Sequence, residues 1–418
     1  MSIEPGSVLL ATPRWTRDGG VATHLMASAT ALVQRGVTVH AVAARIESEP
    51  IPGVTLHHAP DLFKQHVSPE LRLGEAASLS PAVIHLHQFD DPEVLTVMQA
   101  IAPVVISVHG YSGCTSGVHY FGPGQECTRA HGPGCVPNLA LRGCAHTRDP
   151  RTLPPGYRRA TRAVQALRRA DLAISYSSTI DRHLATNGVV RRTTVPLFAT
   201  ISPAAATGHA TRRRVVFAGR VVTPKGIGVL VRAARRVDGE FVVCGDGWQL
   251  DAMRRLARRL GVHERVRFTG WLAAQDLARE LAEASVVAMP SLWPEPFGLV
   301  GIEAHAAGRP VVASATGGVA DWLQDGINGL SVAPGDEQAL AAALNELLAD
   351  PARQAAMGEA GRKLVAARYT PQRHVDALMR AYRSARATWE SNRRRESDRS
   401  EVPALAGARP TPPEPSQV

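Results

Sequence analysis

What most constrains this chain is a rhythm run through twice: short apolar strand signals alternating with helical stretches. In the first half the strand signals are Ser7–Pro13, Val37–Arg45, Val54–Pro60, Val83–His87, Val104–His109 and Leu172–Ser177. In the second they are Val215–Gly219, Glu240–Gly245, Arg265–Gly270, Ser285–Pro290, Pro310–Ser314 and Gly329–Ala333. Apolar runs this short, separated by helical patterns, read as buried strands of parallel sheets joined by crossover helices. Helices are expected at Val21–Arg35, closed by a left-handed Gly36, and at Lys225–Val237, Trp248–Leu260, Gln275–Ala284, Leu299–Ala307 and Glu337–Ala349. One architecture used twice in 418 residues implies an α/β protein of two Rossmann-like domains with parallel sheets facing a cleft.

The breaks in the rhythm set the boundaries. Residues 1–200 form the first domain, interrupted by a Cys-, Gly- and Pro-rich insertion at 111–154. The small, polar segment Ala199–Thr211 reads as the linker, and 201–372 as the second domain. A crossover helix at 373–392 should pack back on the first domain, followed by a charged and Pro-rich tail, 393–418, expected to be disordered. The opening MSIEPGSVLLATP lacks a basic n-region and reads as a first strand. No apolar run approaches the roughly 18–20 residues of a membrane span, so the expected location is the cytoplasm.

The net charge of +10 is almost all arginine, since only Lys64, Lys225 and Lys363 are lysines. Coding bias of a GC-rich bacterium is the favoured account of it, with anionic substrates or an anionic surface as the alternative. Nucleic acid is not expected as a partner: the arginines are spread over many helices, aromatics are 5%, and no reader motif occurs.

Chemistry concentrates at strand ends. In Ser291-Leu-Trp-Pro-Glu295-Pro-Phe297-Gly298-Leu299, a strand runs through a loop into an apolar helix beginning near Gly298. Unpaired first-turn amides make Phe297, Gly298 and Leu299 an anion cradle. Glu295 and Glu303, seven residues apart, can each accept hydrogen bonds from vicinal hydroxyls such as those of ribose or hexose. Arg220 and Lys225 follow another strand end, where two cations would neutralise a diphosphate. The loop Arg17-Asp18-Gly19-Gly20 before the first helix lets backbone approach an anion, and His109 ends a strand of the first domain.

In these residues the chain resembles the family 4 retaining glycosyltransferases, with the GT-B fold. The matching stretches are Val215–Gly226, Phe241–Gly247, Val266–Trp271, Ala288–Ala304, Arg309–Gly318 and Gly326–Gly329. The resemblance implies transfer of a sugar from a nucleoside diphosphate sugar, UDP- or GDP-linked, with retained configuration and no cofactor or catalytic metal. It gives Arg220 and Lys225 the pyrophosphate, Glu295 the donor sugar, Glu303 the ribose, and the Phe297–Leu299 amides phosphate and sugar. The base is expected near Gly245–Gly247 and Gly270–Trp271, the phosphates under Gly19 and Gly20, and the transferred sugar at His109. The acceptor, a glycan, glycolipid or natural product, would lie on the first domain. Lys225→Ala and Glu295→Ala should abolish transfer while leaving the fold intact.

Several features fall outside this pattern. Cys114, Cys127, Cys135 and Cys144 are spaced by twelve, seven and eight residues, without zinc-knuckle spacing. They read as reduced thiols, with a structural metal sharing His119, His131 and His146 as the alternative. Asp90-Asp91 looks like helix capping rather than a metal motif. The basic stretch 158–169 reads as a solvated helix, with peripheral membrane contact as the alternative. His85 and His87 alternate on one strand and are assigned no chemistry. The rival functions are a nucleotide-sugar epimerase or phosphorylase of the same fold, and a non-catalytic sugar-nucleotide binder. An NAD oxidoreductase is weakened because Leu250 stands at the third glycine of the fingerprint opened by Gly245-Asp246-Gly247.

Overall fold

A computed structural model describes residues 6–17, 19–64, 67, 72, 78–87, 92–117, 120–122, 125–142, 144, 151, 153–200 and 213–400. The first half contains β1 (Ser7–Trp15), α1 (Gly20–Gln34), β2 (Thr38–Ile46), β3 (Val54–His58), β4 (Val83–His87), α2 (Pro92–Ile101) and β5 (Val104–Val108). It continues with β6 (Tyr120–Gly122), β7 (Gln125–Glu126), α3 (Cys135–Leu141), α4 (Leu153–Arg169), β8 (Leu172–Ser175), α5 (Ser178–Thr186) and β9 (Arg192–Thr194). The second half contains β10 (Arg214–Ala218), α6 (Ile227–Ala233), β11 (Glu240–Cys244), α7 (Leu250–Arg259), β12 (Val266–Gly270), α8 (Ala274–Glu283), β13 (Val286–Met289) and α9 (Leu299–Ala306). Then come β14 (Val311–Ser314), β15 (Gly329–Val332), α10 (Glu337–Ala349), α11 (Pro351–Arg368) and α12 (Pro371–Ser400).

Two parallel sheets result, in the orders β3-β2-β1-β4-β5-β8-β9 and β12-β11-β10-β13-β14-β15. The expected two-sheet α/β architecture is therefore present. Every residue of β4, β5, β13 and β14 is buried, because helices cover both faces of each sheet. In each sheet the strand order reverses beside the first strand, β1 or β10, and there the carboxyl ends of neighbouring strands leave a crevice. Gly36 closes α1 at φ +85° as expected, its amide bonding the Val33 carbonyl at 2.9 Å.

The departures have local causes. The helix expected from Lys225 is first a 3-10 turn, Thr223–Lys225, and α6 starts only after Gly226. Gly226 is left-handed, and a Cβ there would lie 1.7 Å from the Pro290 carbonyl oxygen. The turn carrying Lys225 is thus pressed against the strand end leading to Glu295. The insertion holds the antiparallel pair β6–β7 and the short α3, and its four cysteines are free thiols. Among the described residues no group of three or more His, Cys, Asp or Glu is placed to hold a metal. His119, His146, Asp90 and Asp91 lie outside the described residues, as does Asp18.

The tail boundary is corrected. Helix α12 does not stop near 392 but runs to Ser400. The stretch after Arg393 is rich in Arg, Glu and Ser without a glycine or proline, so nothing in it breaks the helix. The Arg393 guanidinium stacks 4.8 Å from the Trp389 ring. Residues 401–418, like most of the expected linker (201–212), lie outside the described residues. Helix α12 packs on the first sheet: Tyr382 Oη is 2.8 Å from His85 Nδ1, and His374 Nε2 is 3.0 Å from Ser28 Oγ. The basic stretch 158–169 is the body of α4, which buries Ala160, Ala163, Val164, Ala166 and Leu167 and turns its arginines outward. No helix among the described residues is long and apolar enough to cross a membrane.

Candidate active site

The loop after β13 builds the centre of the site. Glu295 is only 2% exposed, yet every donor it needs is present. Lys225 Nζ donates to both carboxylate oxygens, at 2.7 and 2.9 Å, Ser291 Oγ donates at 2.5 Å and Trp293 Nε1 at 3.1 Å. Burial alone would push its pKa up; the Lys225 charge and these hydrogen bonds outweigh it and hold the carboxyl below its ordinary value. The Lys225 ammonium also stands 5.6 Å from the centre of the Trp293 ring. With two of its three protons on Glu295, one is left for a ligand.

Two glycines clamp the Glu295 backbone. The Gly318 amide donates to the Glu295 carbonyl at 2.7 Å, and a Cβ on Gly317 would lie 2.3 Å from that same oxygen. Next in sequence, Phe297 buries its ring against Tyr369, and its carbonyl accepts from Trp322 Nε1 at 2.7 Å. The Phe297 side chain belongs to the core. Gly298, at φ +86°, turns the chain into α9. Among the described residues, no protein acceptor takes the first-turn amides of Leu299 and Val300. They present partial positive charge to whatever lies before the helix.

Glu303 sits one turn further on and is buried. Its single protein partner among the described residues is Thr200 Oγ1, which donates at 2.6 Å. Burial pushes its pKa up to about 7, with the Thr200 hydrogen bond opposing. Of the sequence's two cations, Lys225 is tied to Glu295, while Arg220, just beyond β10, is exposed with no protein partner among the described residues. Gly245 and Gly247 line the same strand ends, where a Cβ would come within 1.9 Å of the Gly219 carbonyl and 2.5 Å of the Val221 carbonyl. The Gly245 amide bonds the Gly270 carbonyl at 2.8 Å, so Trp271 is brought beside this crowded floor, half exposed. Trp248, 72% exposed beside Gly247, is a second bare aromatic face that the sequence reading passed over.

The first domain contributes a different surface. Gly19, at φ +89°, and Gly20 open α1, and a side chain at either would meet nothing within 4 Å. Among the described residues, nothing fills the space directly over them. His109 stacks on Tyr176 at 4.9 Å and on His87 at 5.4 Å, with its Nε2 3.1 Å from His87 Nδ1. Burial, reinforced by His374, pushes its pKa down to about 3, so the ring is neutral. Behind it runs a chain of hydrogen bonds from Tyr382 to His85 at 2.8 Å, His85 to Ser107 at 2.7 Å, and Ser107 to Tyr176. The two domains touch at this point. Tyr111 Oη donates to the Pro294 carbonyl at 2.9 Å, one residue before Glu295, and Ser178 Oγ donates to Asp321 at 2.5 Å. Ser291, Trp293, Thr200 and Tyr111 were not singled out in the sequence. The first two lay inside the Ser-Leu-Trp-Pro-Glu motif and could have been; Thr200 and Tyr111 act across long sequence separations.

With this geometry established, comparison with known proteins gives concordant results. Residues 204–364 match the family model "Glycosyl transferases group 1". Over 166 residues the chain is 42% identical to a GDP-mannose-dependent alpha-(1-6)-phosphatidylinositol monomannoside mannosyltransferase of Mycolicibacterium smegmatis, covering 37% of this chain and 44% of the relative. It is 35% identical over 188 residues to a D-inositol 3-phosphate glycosyltransferase of Mycobacterium marinum, covering 43% and 40%. The chain thus aligns with less than half the length of these relatives. Among solved structures, sucrose-phosphate synthase from Thermosynechococcus elongatus superposes with a TM-score of 0.67 at 22% identity, over 90% of this chain and 98% of that one. HepE from Anabaena, in complex with UDP-glucose, gives 0.64 at 20% identity, over 89% and 99%. At such identities these two speak for the fold.

Proposed function

We propose that this chain, whose residues 204–364 match the family model for group 1 glycosyl transferases, is a member of that family and transfers a sugar from a nucleoside diphosphate sugar to an acceptor hydroxyl. The transfer retains anomeric configuration and does not call on a metal. The observation that carries this reading is the convergence of Lys225, buried Glu295 and the open first turn of α9 at one strand-end crevice.

The donor's diphosphate lies over Arg220, the free proton of Lys225 and the amides of Leu299 and Val300. Gly19 and Gly20 supply the backbone that approaches it from the first domain. The base occupies the floor at Gly245, Gly247 and Gly270 with Trp271 beside it, and Glu303 accepts from the ribose hydroxyls. Glu295, held ionised, accepts from hydroxyls of the transferred sugar, and neutral His109 faces that sugar as a hydrogen-bonding group. The bond from the anomeric carbon to the phosphate oxygen breaks, and the same face bonds the acceptor oxygen. The acceptor proton passes to the leaving phosphate oxygen, whose growing charge Arg220, Lys225 and the amides stabilise. The contact between Tyr111 and Pro294 closes the crevice against water beside the reacting centre.

The relatives' names include GDP-mannose, and one fold neighbour holds UDP-glucose; either donor suits a floor of backbone carbonyls and exposed indoles. The test is turnover of a panel of UDP- and GDP-sugars with chelator present, read as release of free nucleoside diphosphate. Loss of release in Lys225→Ala and Glu295→Gln, with nucleotide still bound, is the expected result. Unchanged turnover in either variant, or activity that vanishes with chelator and returns only with a divalent ion, overturns the reading.

A further inference from the structure

A cavity of about 490 Å³ lies on the opposite side of the first domain from the crevice. It opens beside the start of β5 and β8, whereas Gly110, Ser177 and the donor face lie at the strands' carboxyl ends. Its wall carries Arg168 and Arg169 from the end of α4, Arg191 before β9, and Arg393 and Arg395 from α12. Five guanidinium groups from three separate segments face one hollow. Other arginines of the described surface are answered by carboxylates, among them Arg232 by Glu337, Arg267 by Glu280 and Arg353 by Glu346. None of these five has a salt bridge among the described residues. The one carboxylate in the wall is Asp171, which is buried; its Oδ2 accepts from the Val104 amide at 2.9 Å and from Gln99 Nε2 at 3.1 Å, and of the five arginines the charge of Arg191 acts on it.

The groups are also held in place. Arg168 Nε donates to the Asn187 carbonyl at 2.7 Å, Arg191 Nε to the Ala170 carbonyl at 2.9 Å, and Arg169 Nη2 to Thr96 Oγ1 at 3.1 Å. Trp389 is anchored by its Nε1 to the Gln99 carbonyl at 2.7 Å and supports the Arg393 guanidinium on its ring. Each arginine therefore spends one or two of its five donors on the protein or none, and keeps the others for the cavity. Unpaired, partly fixed guanidinium forks are suited to phosphate oxygens, which they bind bidentately. The volume is that of a small-molecule site.

We propose that this cavity is a second anion site, binding a phosphate-bearing ligand independently of the donor crevice. Because α12 leaves the second domain and ends here, the bound anion bridges Arg168, Arg169 and Arg191 of the first domain to Arg393 of that helix. Occupancy pins the end of α12 to the first domain.

The test uses the full chain and inorganic pyrophosphate, followed by titration calorimetry at low ionic strength. On the proposed function the donor crevice also takes pyrophosphate, so the measurement is made with that crevice weakened in Lys225→Ala and saturated with nucleoside diphosphate, and compared with Lys225→Ala/Arg191→Ala/Arg393→Ala under the same conditions. Both added substitutions replace solvent-facing arginines, and nucleotide-sugar binding by Arg191→Ala/Arg393→Ala reports that the fold is kept. Binding in the first variant that weakens at least tenfold in the second supports a soluble phosphate ligand. A second arm sediments the same proteins with phosphatidylglycerol vesicles against phosphatidylcholine vesicles. Anionic-vesicle binding that falls at least tenfold with the two arginines, without pyrophosphate binding, identifies a lipid headgroup as the source of the phosphate. If the two substitutions change neither measurement, the cavity is no anion site and the proposal is overturned.

Discussion

The two halves of this molecule share an architecture and use opposite chemistry at their facing edges. In the second half the crevice is charged: Lys225 against ionised Glu295, exposed Arg220, and the positive end of α9. In the first half the corresponding edge is aromatic and neutral: His24, His85, His87, His109 and His374 gathered around Tyr176. On the proposed function, the difference suits two tasks. A leaving diphosphate is stabilised by fixed positive charge, whereas an incoming hydroxyl and a neutral sugar ring are oriented by groups that donate and accept without carrying charge.

The neutral half is the more vulnerable to acid, and there the largest effect is expected. Folded pKa values are about 3 for His85 and His109 and about 4 for His374, against 6.5 when exposed. The unfolded chain therefore binds more protons, so stability is full above pH 6.5 and falls as pH drops towards 4. By pH 5 the loss is on the order of 2 kcal/mol for a histidine so shifted, and the three act in the same direction. Chemical denaturation at pH 7.5 and pH 5 measures it; equal midpoints at the two values would show that the imidazoles are not held neutral.

In the charged half, Lys225→Ala should lower turnover by about 10³-fold. Contrary to the sequence-based expectation of an intact fold, it should also cost about 3 kcal/mol of stability, because it strands the buried Glu295 carboxylate. Adding Glu295→Gln should restore most of that stability and none of the activity. A double variant no more stable than Lys225→Ala would mean that the pair is not coupled in the fold.

Glu303 sharpens the contrast, since it is a charged-half residue without a charged partner among the described residues. Its folded pKa of about 7 lies above the unfolded value of 4.5, so the folded state holds the proton more tightly. Its contribution to stability falls between pH 4.5 and 7 and stays low above that, opposite in sign to the histidines and smaller in sum. Glu303→Gln keeps the Thr200 contact. It should raise stability at pH 8 by about 2 kcal/mol, leave it unchanged at pH 4, and weaken donor binding about tenfold. A Gln variant that is no more stable at pH 8 removes the argument. Smallest is His109→Ala, for which about 1–2 kcal/mol, or roughly five- to thirtyfold in kcat/KM, is expected from one neutral hydrogen bond. A loss as large as that of Lys225→Ala would make the two edges alike in kind.

What could be read beforehand divides along the same line. All strands of both sheets but the short β9, with Gly36 and the turn at Gly298, were legible, because continuous apolar runs and glycines at strand ends are local signals. That Lys225 is bound to Glu295 was not, since the contact spans 70 residues and depends on Gly226 fitting against Pro290. The histidine cluster was least legible. Its members come from α1, β4, the end of β5 and α12, and apart from the alternating His85 and His87 each is an isolated imidazole in sequence. The length of α12 was underestimated because charge after Arg393 was taken for disorder, while Trp389 and Arg393 hold that end against the Gln99 and Ala100 carbonyls.

Helix α12 has a mechanical consequence. It begins where Tyr369 of the second domain bonds Ala199 and spends its length on the first. Its buried grip on Ser28 and His85 means that the two lobes cannot part as separate bodies. An opening of the crevice that keeps this grip would pivot before His374, near Tyr369–Thr370, with the helix riding on the first domain like the fixed leaf of a door hinge. On the proposed function, donor and product exchange would then depend on a swing about that short segment, and bracing it would slow release without touching a group that meets the substrate.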